Sequence, residues 1–392
     1  MSLPRDLRIG IVGAGIGGLT AALALQRAGF RPRIFEQAPV ISIVGAGISI
    51  TPNAAKGLEW LGLTEDLRLA SEEPPRQIVR HWQTGEVLVD IDRGPCRATY
   101  GAAYYQLHRA DLHRLLLTAV EAHDRAALVL GAAFGEAHAD GTQAVTVRFG
   151  NGRSETFDLL IGADGVKSAV RARFFGHDDP QFTGHVAWRG QVPAERLASL
   201  KLPPGSSVAA GPGRSFVRYP MARGALINWV AFACRSGWSA ESWSQRASRE
   251  EVRAEFAGWY PEIGAIIDAT PEDAVFKWGL FGRAPLPAWA DGPVALIGDA
   301  AHPMLPYMGQ GAAMAIEDAV ILARCLSASS SIAEAFQRYQ AARIARVAMI
   351  TEESRLGADR LEGKEPMDLK NKPPRNEDTL GIFHYDPARV PV

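Results

Sequence analysis

Apolar residues along this chain fall into two textures. In the first, short unbroken runs end at glycine: Leu7 to Val12, Leu159-Leu160-Ile161, and Val294-Ala295-Leu296-Ile297. Apolar runs of that length predict buried strands. Helical stripes go with them, at Leu19 to Ala28 and at Leu112, Leu115, Leu116, Ala119 and Val120, spaced to line one helix face. A second short strand is predicted at Arg33-Ile34-Phe35. The other texture is alternating. Gln77 to Ile91 alternates around Gln83-Thr84-Gly85 and predicts a hairpin, and Asn151-Gly152 marks a turn after a strand at Val145 to Phe149. Leu128-Val129-Leu130 predicts one more strand. From Gln181 to Lys277 the chain is rich in aromatics, with Trp188, Trp229, Trp238, Trp243 and Trp259 inside and Trp278 next door. There Val186 to Val192 and Ser215 to Cys234 predict strands of a separate sheet, and Arg249 to Tyr260 a helix. Core packing accounts for most of those aromatics. A long helical region follows Leu322 and runs to about Leu361. Gly363 to Asp378, with Lys364, Glu365, Pro366, Lys370, Pro373 and Pro374, has the composition of an exposed linker.

Composition narrows the function classes. With 392 residues the chain is long enough for two domains, or for one domain carrying a lobe. Lys and Arg number 42 against 43 Asp and Glu, a net charge of -1, so nothing global attracts nucleic acid or an anionic membrane. Cys96, Cys234 and Cys325 lie far apart without metal or redox spacing, which suits a reducing compartment. Glycines interrupt the apolar stretch Ile9 to Leu25, so it does not read as a signal peptide, and no run is long enough to span a membrane. A cytoplasmic protein is expected.

The glycines carry the chemistry. Gly13, Gly15 and Gly18 fit the pattern G-x-G-x-x-G between a strand and a helix. The first permits the tight turn, the second lets backbone approach a pyrophosphate, and the third lets helix and strand pack. Glu36 ends the next strand about 20 residues on, where a ribose-binding carboxylate belongs. Ile43 to Ile50 nearly repeats the same letters but lacks the third glycine, and Thr51-Pro52 looks like the helix start there. Gly45 to Ser49 is read as close backbone approach to a ligand, or as a glycine loop without one. Arg109, at a helix start, either reaches a phosphate or is solvated. Gly162-Ala163-Asp164-Gly165 and Gly298-Asp299 are two further strand-to-glycine-acid junctions. After the latter come a loop with Gly309-Gln310-Gly311 and an Ala-rich helix-forming segment, which together suit an electron-rich or anionic ligand. His108 and His113 are not spaced as metal ligands, His302 stands alone, and no P-loop or G-x-S-x-G elbow is present. The expected site has no metal, and its chemistry must come from a bound cofactor.

These motifs together resemble the class A FAD-dependent aromatic hydroxylases, in the salicylate hydroxylase and 6-hydroxynicotinate 3-monooxygenase group. The likeness spans most of residues 7 to 350. It rests on GAGIGG at Gly13 to Gly18 with Glu36, VGAGISITPN at Val44 to Asn53 and HRADLHRLL at His108 to Leu116. GADGVKSAVR at Gly162 to Arg171, VAWRG at Val186 to Gly190 and the GDAAHPMLPYMGQGAAMAIEDA stretch from Gly298 complete it. The resemblance implies an α/β fold: a Rossmann-like FAD-binding domain with an inserted β-sheet substrate domain, like p-hydroxybenzoate hydroxylase. The FAD-binding domain would comprise residues 1–72, 100–177 and 280–350, and the substrate domain 73–99 and 178–279. A C-terminal helix, linker and tail would occupy 351–392.

At matched positions the resemblance implies roles. Gly13, Gly15 and Gly18 would hold the FAD pyrophosphate, Glu36 and Gln37 would lie at the adenosine ribose, and Phe134 would lie by the adenine. Arg109 would face the flavin diphosphate or ring side, and Asp164-Gly165 belongs to a motif associated with FAD and the reduced nicotinamide. Asp299 would bind ribityl or pyrophosphate groups, Gly309, Gln310, Gly311 and Ala312 the isoalloxazine, and the Pro306 carbonyl would steady flavin or substrate. NADH or NADPH would reduce FAD, O2 would add to give a C4a-hydroperoxide, and an electron-rich ring would attack it. Tyr219 is a candidate contact to a ring hydroxyl, with core packing as its other reading. Ser49 and Ser215 stand where hydroxynicotinate-type enzymes have histidines. A serine without a partner is no base near neutral pH, so a phenolic acid and a hydroxylated N-heterocycle are both open as substrates. A monomer or homodimer acting on a small aromatic molecule is expected. Flavin chemistry on a non-aromatic or polycyclic substrate, including epoxidation, and a non-hydroxylating flavin-binding redox protein are the alternatives.

Overall fold

The computed structural model describes residues 2–41, 46–141, 143–237, 245–371, 373 and 375–392. Of the features above, Ile43, Val44, Gly45, Trp238, Trp243 and Pro374 lie outside the described residues. Two large sheets organise the rest. The first has six strands in the order Ala290–Asp291, Val294–Leu296, Leu159–Gly162, Ile9–Val12, Arg33–Phe35, Leu128–Val129. Ile9–Val12 is central and parallel to both neighbours, with Ile11 opposite Ile161 and Ile34. Ile9–Val12, Leu159–Gly162 and Val294–Leu296 are buried at every residue, as unbroken apolar runs require when both faces of a parallel sheet are covered. Helices Ile16–Arg27 and Gly311–Ala328 pack closely, and a Cβ added at Gly17 would come within 3.3 Å of Ala315.

The second sheet has eight strands among the described residues. Their order is Gln245–Arg246, Phe276–Gly282, Gln181–Pro193, Leu226–Cys234, Arg214–Met221, Ser206–Gly211, Arg76–His81, Val87–Asp92. The early hairpin therefore joins the lobe, through a parallel pairing that sets Ile78 opposite Ser207. Alternation sorts this sheet into two faces. Val186, Trp188, Phe216 and Trp229 pack on the outside against Val252, Phe256 and Ile263. Trp229 lies over Gly190 on the paired strand, where an added Cβ would meet the indole at 2.5 Å, so the glycine of VAWRG is a seat for a ring. Ala187, Val217, Val230, Phe232 and Trp278 face inward and pack with Leu305 and Tyr307. The architecture is the expected α/β fold with an inserted β-sheet lobe.

One expectation needs correction. The helix from Arg249 stops at Glu255, and a second runs Pro261–Ala269. Phe256 and Trp259 turn into the lobe core, Gly258 takes φ +80°, and Pro261 can only begin a new helix. The long helical region ends at Leu361, as expected, in the 30-residue helix Ile332–Leu361. In the segment expected to be an exposed linker, Lys364, Glu365, Lys370 and Pro373 are exposed, around a short helix, Asp368–Asn371. Beyond it the tail is docked, with Ile382 and Phe383 fully buried. Lys56 Nζ donates to the carbonyls of Phe383, His384 and Tyr385 at 2.9, 3.2 and 3.3 Å.

Arg93 ties that tail to the lobe hairpin. Its buried guanidinium donates to Gln77 Oε1 at 2.6 Å and to Asp378 Oδ2 at 2.8 Å, and Tyr100 donates to the same Asp378 at 2.8 Å. Removing one partner of a buried pair strands the other. Arg93→Ala should therefore lower unfolding stability by about 3–5 kcal/mol. In limited proteolysis it should expose the chain beyond residue 363 to cleavage before the rest.

Candidate active site

The first wall of the site is the glycine turn after Ile9–Val12. Gly13 has φ +101°, and a Cβ there would lie 2.5 Å from the Ala163 carbonyl oxygen. At Gly18 a Cβ would sit 2.0 Å from the Gly13 carbonyl oxygen, whereas at Gly15 it would meet nothing within 4 Å. Gly13 and Gly18 are thus demanded by packing, and Gly15 borders open space. The helix it caps has no side-chain cap and no acidic residue in its first turn. Its leading N–H groups remain available to an anion. The Glu36 carboxylate is fixed beside this turn by the N–H groups of Ala14 and Ala38, both at 2.9 Å. Gln37 is exposed next to it, and the Ala132 N–H, bonded to the Glu36 carbonyl at 2.8 Å, brings half-buried Phe134 to the same edge. His113 Nε2–H donates to the Ala14 carbonyl at 2.6 Å, which anchors the turn to helix Arg109–His123.

The second wall runs from Gly298 into helix Gly311–Ala328. Gly298 has φ +58° and lies against Ala315, and Gly309 has φ +62° with no atom within 4 Å of a Cβ placed there. Asp299 is reached by solvent, yet surrounding protein pushes its carboxyl up, against the pull of His302 and Arg109. A carboxyl both solvated and hemmed in lies in a cleft, and Arg109, exposed at its own helix start, faces the same cleft. Pro306 is exposed on a 3-10 turn, and Gly311 and Ala312 are half-buried at the following helix start. That start also lacks a side-chain cap and acidic residues in its first turn. Asp164 is placed differently. Its carboxylate accepts from Ser168 Oγ at 2.5 Å and from the N–H groups of Ala169 and Val170 at 2.7 and 3.1 Å, so it caps helix Ala169–Phe174. Gly165, at φ +78°, carries the chain past it.

Under the second wall lies a buried charge network that sequence reasoning missed. Asp318 accepts from the Gly298 N–H at 2.9 Å, His302 at 2.6 Å and Arg343 Nε at 2.7 Å. Glu317 takes Arg343, Arg346 and, at 2.7 Å, Asn53 Nδ2. Asn53 also donates to Gln310 Oε1 at 3.1 Å, and Gln310 Nε2 donates to Thr51 Oγ1 at 3.2 Å. Thr51 is the N-cap residue of helix Pro52–Trp60 with Pro52 at its first position, as expected, but its hydroxyl is taken by the loop and makes no cap bond. Burial alone would raise the Asp318 carboxyl, but His302, Arg343 and the Gly298 N–H outweigh it and hold it at about 2.

The third wall is the inner face of the lobe. Tyr219 packs straight onto Gly47, whose added Cβ would meet the phenol oxygen at 2.3 Å. Asn228, paired with Tyr219 across the strands, accepts from the Gly47 N–H at 2.9 Å, and its buried Nδ2 has no hydrogen-bond partner among the described residues. Half-buried Ser49 lies next to Tyr104, whose ring sits 5.2 Å below the Arg93 guanidinium. Ser49 and Tyr219 are thereby brought together. Ser215 is not: it is buried, and its hydroxyl donates to Glu362 at 3.1 Å.

An open glycine turn, two uncapped helix starts and a half-enclosed carboxylate suit a ligand of the dinucleotide class, with the lobe's inner face opposite. Comparison with known proteins agrees. The family described as "FAD binding domain" matches residues 6–354. A 3-amino-4-hydroxybenzoate 2-monooxygenase of Streptomyces platensis is 40% identical over 354 residues, covering 89% of this chain and 87% of that protein. A 6-hydroxynicotinate 3-monooxygenase of Pseudomonas fluorescens is 36% identical over 395 residues, covering 100% and 98%. The structure of Klebsiella pneumoniae HpxO complexed with FAD and uric acid superposes with a TM-score of 0.83 at 28% identity, covering 96% of this chain and 95% of that one. The chain belongs to this FAD-binding family, among the class A flavoprotein aromatic hydroxylases. It is an FAD-dependent monooxygenase that consumes NAD(P)H and O2.

Two predictions follow from the walls. Gly15→Ala should fold normally, by circular dichroism, yet lose flavin absorbance on purification, because its new methyl enters only open space. Gly18→Ala should instead fail to fold stably, since the methyl would strike backbone. The second concerns acid. With a carboxyl lowered from about 3.9 in the unfolded chain, the Asp318 contribution is complete above that pH and is lost as pH falls through about 2. Denaturant unfolding measured at pH steps between about 5 and 2 should show that loss, and Asp318→Asn should be less stable at neutral pH with a flatter acid limb.

Proposed function

We propose that this monooxygenase hydroxylates a small aromatic ring bearing a hydroxyl group, either a phenolic acid or a hydroxylated N-heterocycle. The observation that carries this reading is the buried Asn228 Nδ2, without a hydrogen-bond partner among the described residues, cross-strand from Tyr219 on a face that also carries Val217, Val230, Phe232 and the buried Arg189. A flat ring suits the apolar part, and a ring oxygen suits the two donors. Both named relatives act on hydroxylated ring acids, which supports the same substrate class.

FAD fits the open space at Gly15, the two uncapped helix starts and the cleft at Asp299. When bound, it supplies the electron transfer and oxygen activation that no side chain provides. We assign its pyrophosphate to Gly13, Gly15 and Gly18 with Arg109 nearby. Its ribose goes to Glu36 and Gln37, its adenine to the Phe134 edge, its ribityl chain to Asp299, and its ring to Gly309 through Ala312. Asp164 acts on that site through the helix it caps, with Gly165 completing the turn. Pro306 lies on an exposed turn at the lobe's inner face, and its carbonyl accepts from the Gly309 N–H at 2.9 Å, so its second lone pair is the one assigned to flavin or substrate. Leu305, Tyr307, Val217 and Val230 exclude water from the space between, which protects the oxygen-activating step from unproductive decay.

Tyr219 acts as a donor, not a base. Burial, with Tyr104 alongside, pushes its phenol above the ordinary range, so the proton stays on. It stabilises an ionised ring hydroxyl by hydrogen bonding, and Ser49 contributes a second hydroxyl from the strand that Tyr219 covers. The balanced charge and the free cysteines accord with a cytoplasmic monomer or homodimer. Among the described residues no helix is long and apolar enough to cross a membrane.

The test is to purify the flavin-loaded protein and follow NADH and NADPH oxidation with a panel of phenolic acids and hydroxypyridine acids, identifying products by mass spectrometry. A product one oxygen heavier than its substrate supports the reading. Flavin reduction with no hydroxylated aromatic product from any compound would move the assignment to the non-aromatic or redox-only alternatives. Tyr219→Phe should keep its flavin. It should lose roughly ten- to hundredfold in kcat/KM, the worth of a hydrogen bond to a charged group, and divert more of its reducing equivalents to H2O2.

A further inference from the structure

Away from the cofactor walls, the end of helix Ile332–Leu361 meets the lobe sheet at a cluster of side chains for which the hydroxylation has no use. His185 and Cys234 are cross-strand partners, and Glu362, which follows the helix, reaches both. Cys234 Sγ lies 3.4 Å from His185 Nε2 and 3.4 Å from Glu362 Oε2, and His185 Nε2 lies 3.4 Å from that same oxygen. The outer atoms are all engaged. His185 Nδ1–H donates to the Thr183 carbonyl at 3.1 Å, which leaves a lone pair on Nε2 in the neutral ring. Glu362 Oε1 accepts the hydroxyls of Tyr307 at 2.8 Å and Ser215 at 3.1 Å, so Oε2 is the oxygen turned inward.

One thiol proton cannot satisfy both inward acceptors, which face one another. The centre of the triangle calls for positive charge, and either a second proton on the imidazole or a metal cation supplies it. Bond lengths favour the metal. Zinc binds thiolate sulfur at about 2.3 Å, imidazole at about 2.0–2.1 Å and carboxylate at about 2.0–2.2 Å, so tetrahedral geometry separates nitrogen from oxygen by about 3.3–3.5 Å and sulfur from either by about 3.5–3.6 Å. The three edges here, at 3.4 Å each, lie within about 0.2 Å of those lengths. The mixed sulfur, nitrogen and oxygen set suits zinc rather than magnesium or calcium. The Thr183, Tyr307 and Ser215 contacts are the outer hydrogen bonds that orient metal ligands.

We propose that His185 Nε2, Cys234 Sγ and Glu362 Oε2 bind one zinc ion, whose fourth position opens to solvent on the exposed Cys234 side. Binding releases the thiol proton to solvent and changes no oxidation state. The ion clamps strands Gln181–Pro193 and Leu226–Cys234 to the end of the long helix. Through Tyr307 it also braces the turn that carries Pro306. The sequence conceals the site, because its ligands are 49 and 128 positions apart.

The experiment uses the flavin-loaded protein, stripped with a chelator, incubated with zinc sulfate and desalted, with metal then counted by mass spectrometry. Wild type should retain about one zinc per chain, and Cys234→Ser and Glu362→Gln far less, with flavin absorbance reporting that each variant is folded. Cobalt in place of zinc should give tetrahedral bands at wavelengths longer than those of oxidised flavin. Cys96 and Cys325 are buried, so alkylation mapped by peptide mass reads Cys234, and zinc should slow it at least about tenfold. Tyr307→Phe should weaken zinc binding about 10- to 100-fold. Zinc retention no higher in wild type than in Cys234→Ser, or an alkylation rate at Cys234 indifferent to zinc, would overturn the proposal and leave an imidazolium at the centre.

Discussion

The Asp318 carboxylate is the constraint on which the flavin side of this protein depends. It has no solvent exposure, and its three partners come from three places: the Gly298 N–H at the strand end, His302 in the loop, and Arg343 on the next helix. Buried ion pairs gain little stability outright, because desolvation offsets attraction, but removing one partner strands a charge at about 3–5 kcal/mol. The network therefore selects one geometry more than it adds stability. Gly298 must take its left-handed turn where Asp318 can reach its N–H, and Asp299 then projects into the cleft.

Glu317 extends the same constraint to the other side of the site. Through Asn53 and Gln310 it reaches Thr51, so the helix start at Pro52 and the loop before Gly311 are set by one hydrogen-bonded chain. This explains why a buried glutamine occupies the middle of the glycine loop. Its backbone belongs to the cradle while its side chain belongs to the core. The lobe is built on the opposite principle. Its outer face is an aromatic core of rings seated on each other and on Gly190, whereas its inner face is smaller and closes on Leu305 and Tyr307.

What the sequence made legible follows the range of the interactions. The glycine turns, the buried strands and the carboxylate after Arg33–Phe35 are local, and each appeared at its expected position. Thr51-Pro52 begins its helix as expected, but the Thr51 hydroxyl accepts from Gln310, 259 residues away, instead of capping that helix. The helix at Arg249 was overextended because Phe256 and Trp259 fit a helical stripe, although their burial on the sheet bends the chain instead. Asn228 carried no signal: its bond to Gly47 spans 181 residues, and an asparagine within an apolar strand reads only as an irregularity. The docking of the tail carried no local signal, since Lys56 and Arg93 hold it from 327 and 285 residues away.

The lobe wall also bears on how the ring is activated. A general base there would need a pKa near neutrality, and neither Tyr219 nor Ser49 qualifies. Tyr219 is held protonated by burial, Ser49 is a hydroxyl beside a second phenol, Tyr104, and the Asn228 amide nitrogen and the Arg189 guanidinium are donors. These groups can donate to an oxyanion but cannot create one. On the proposed reading, the substrate must therefore arrive with an acidic ring hydroxyl, or release its proton to water before the cleft closes. Both routes favour rings whose acidity is raised by an electron-withdrawing carboxyl group or ring nitrogen. On that reading, the wall at Tyr219, Ser49 and Asn228 selects for a ring that ionises readily and then stabilises the anion it receives.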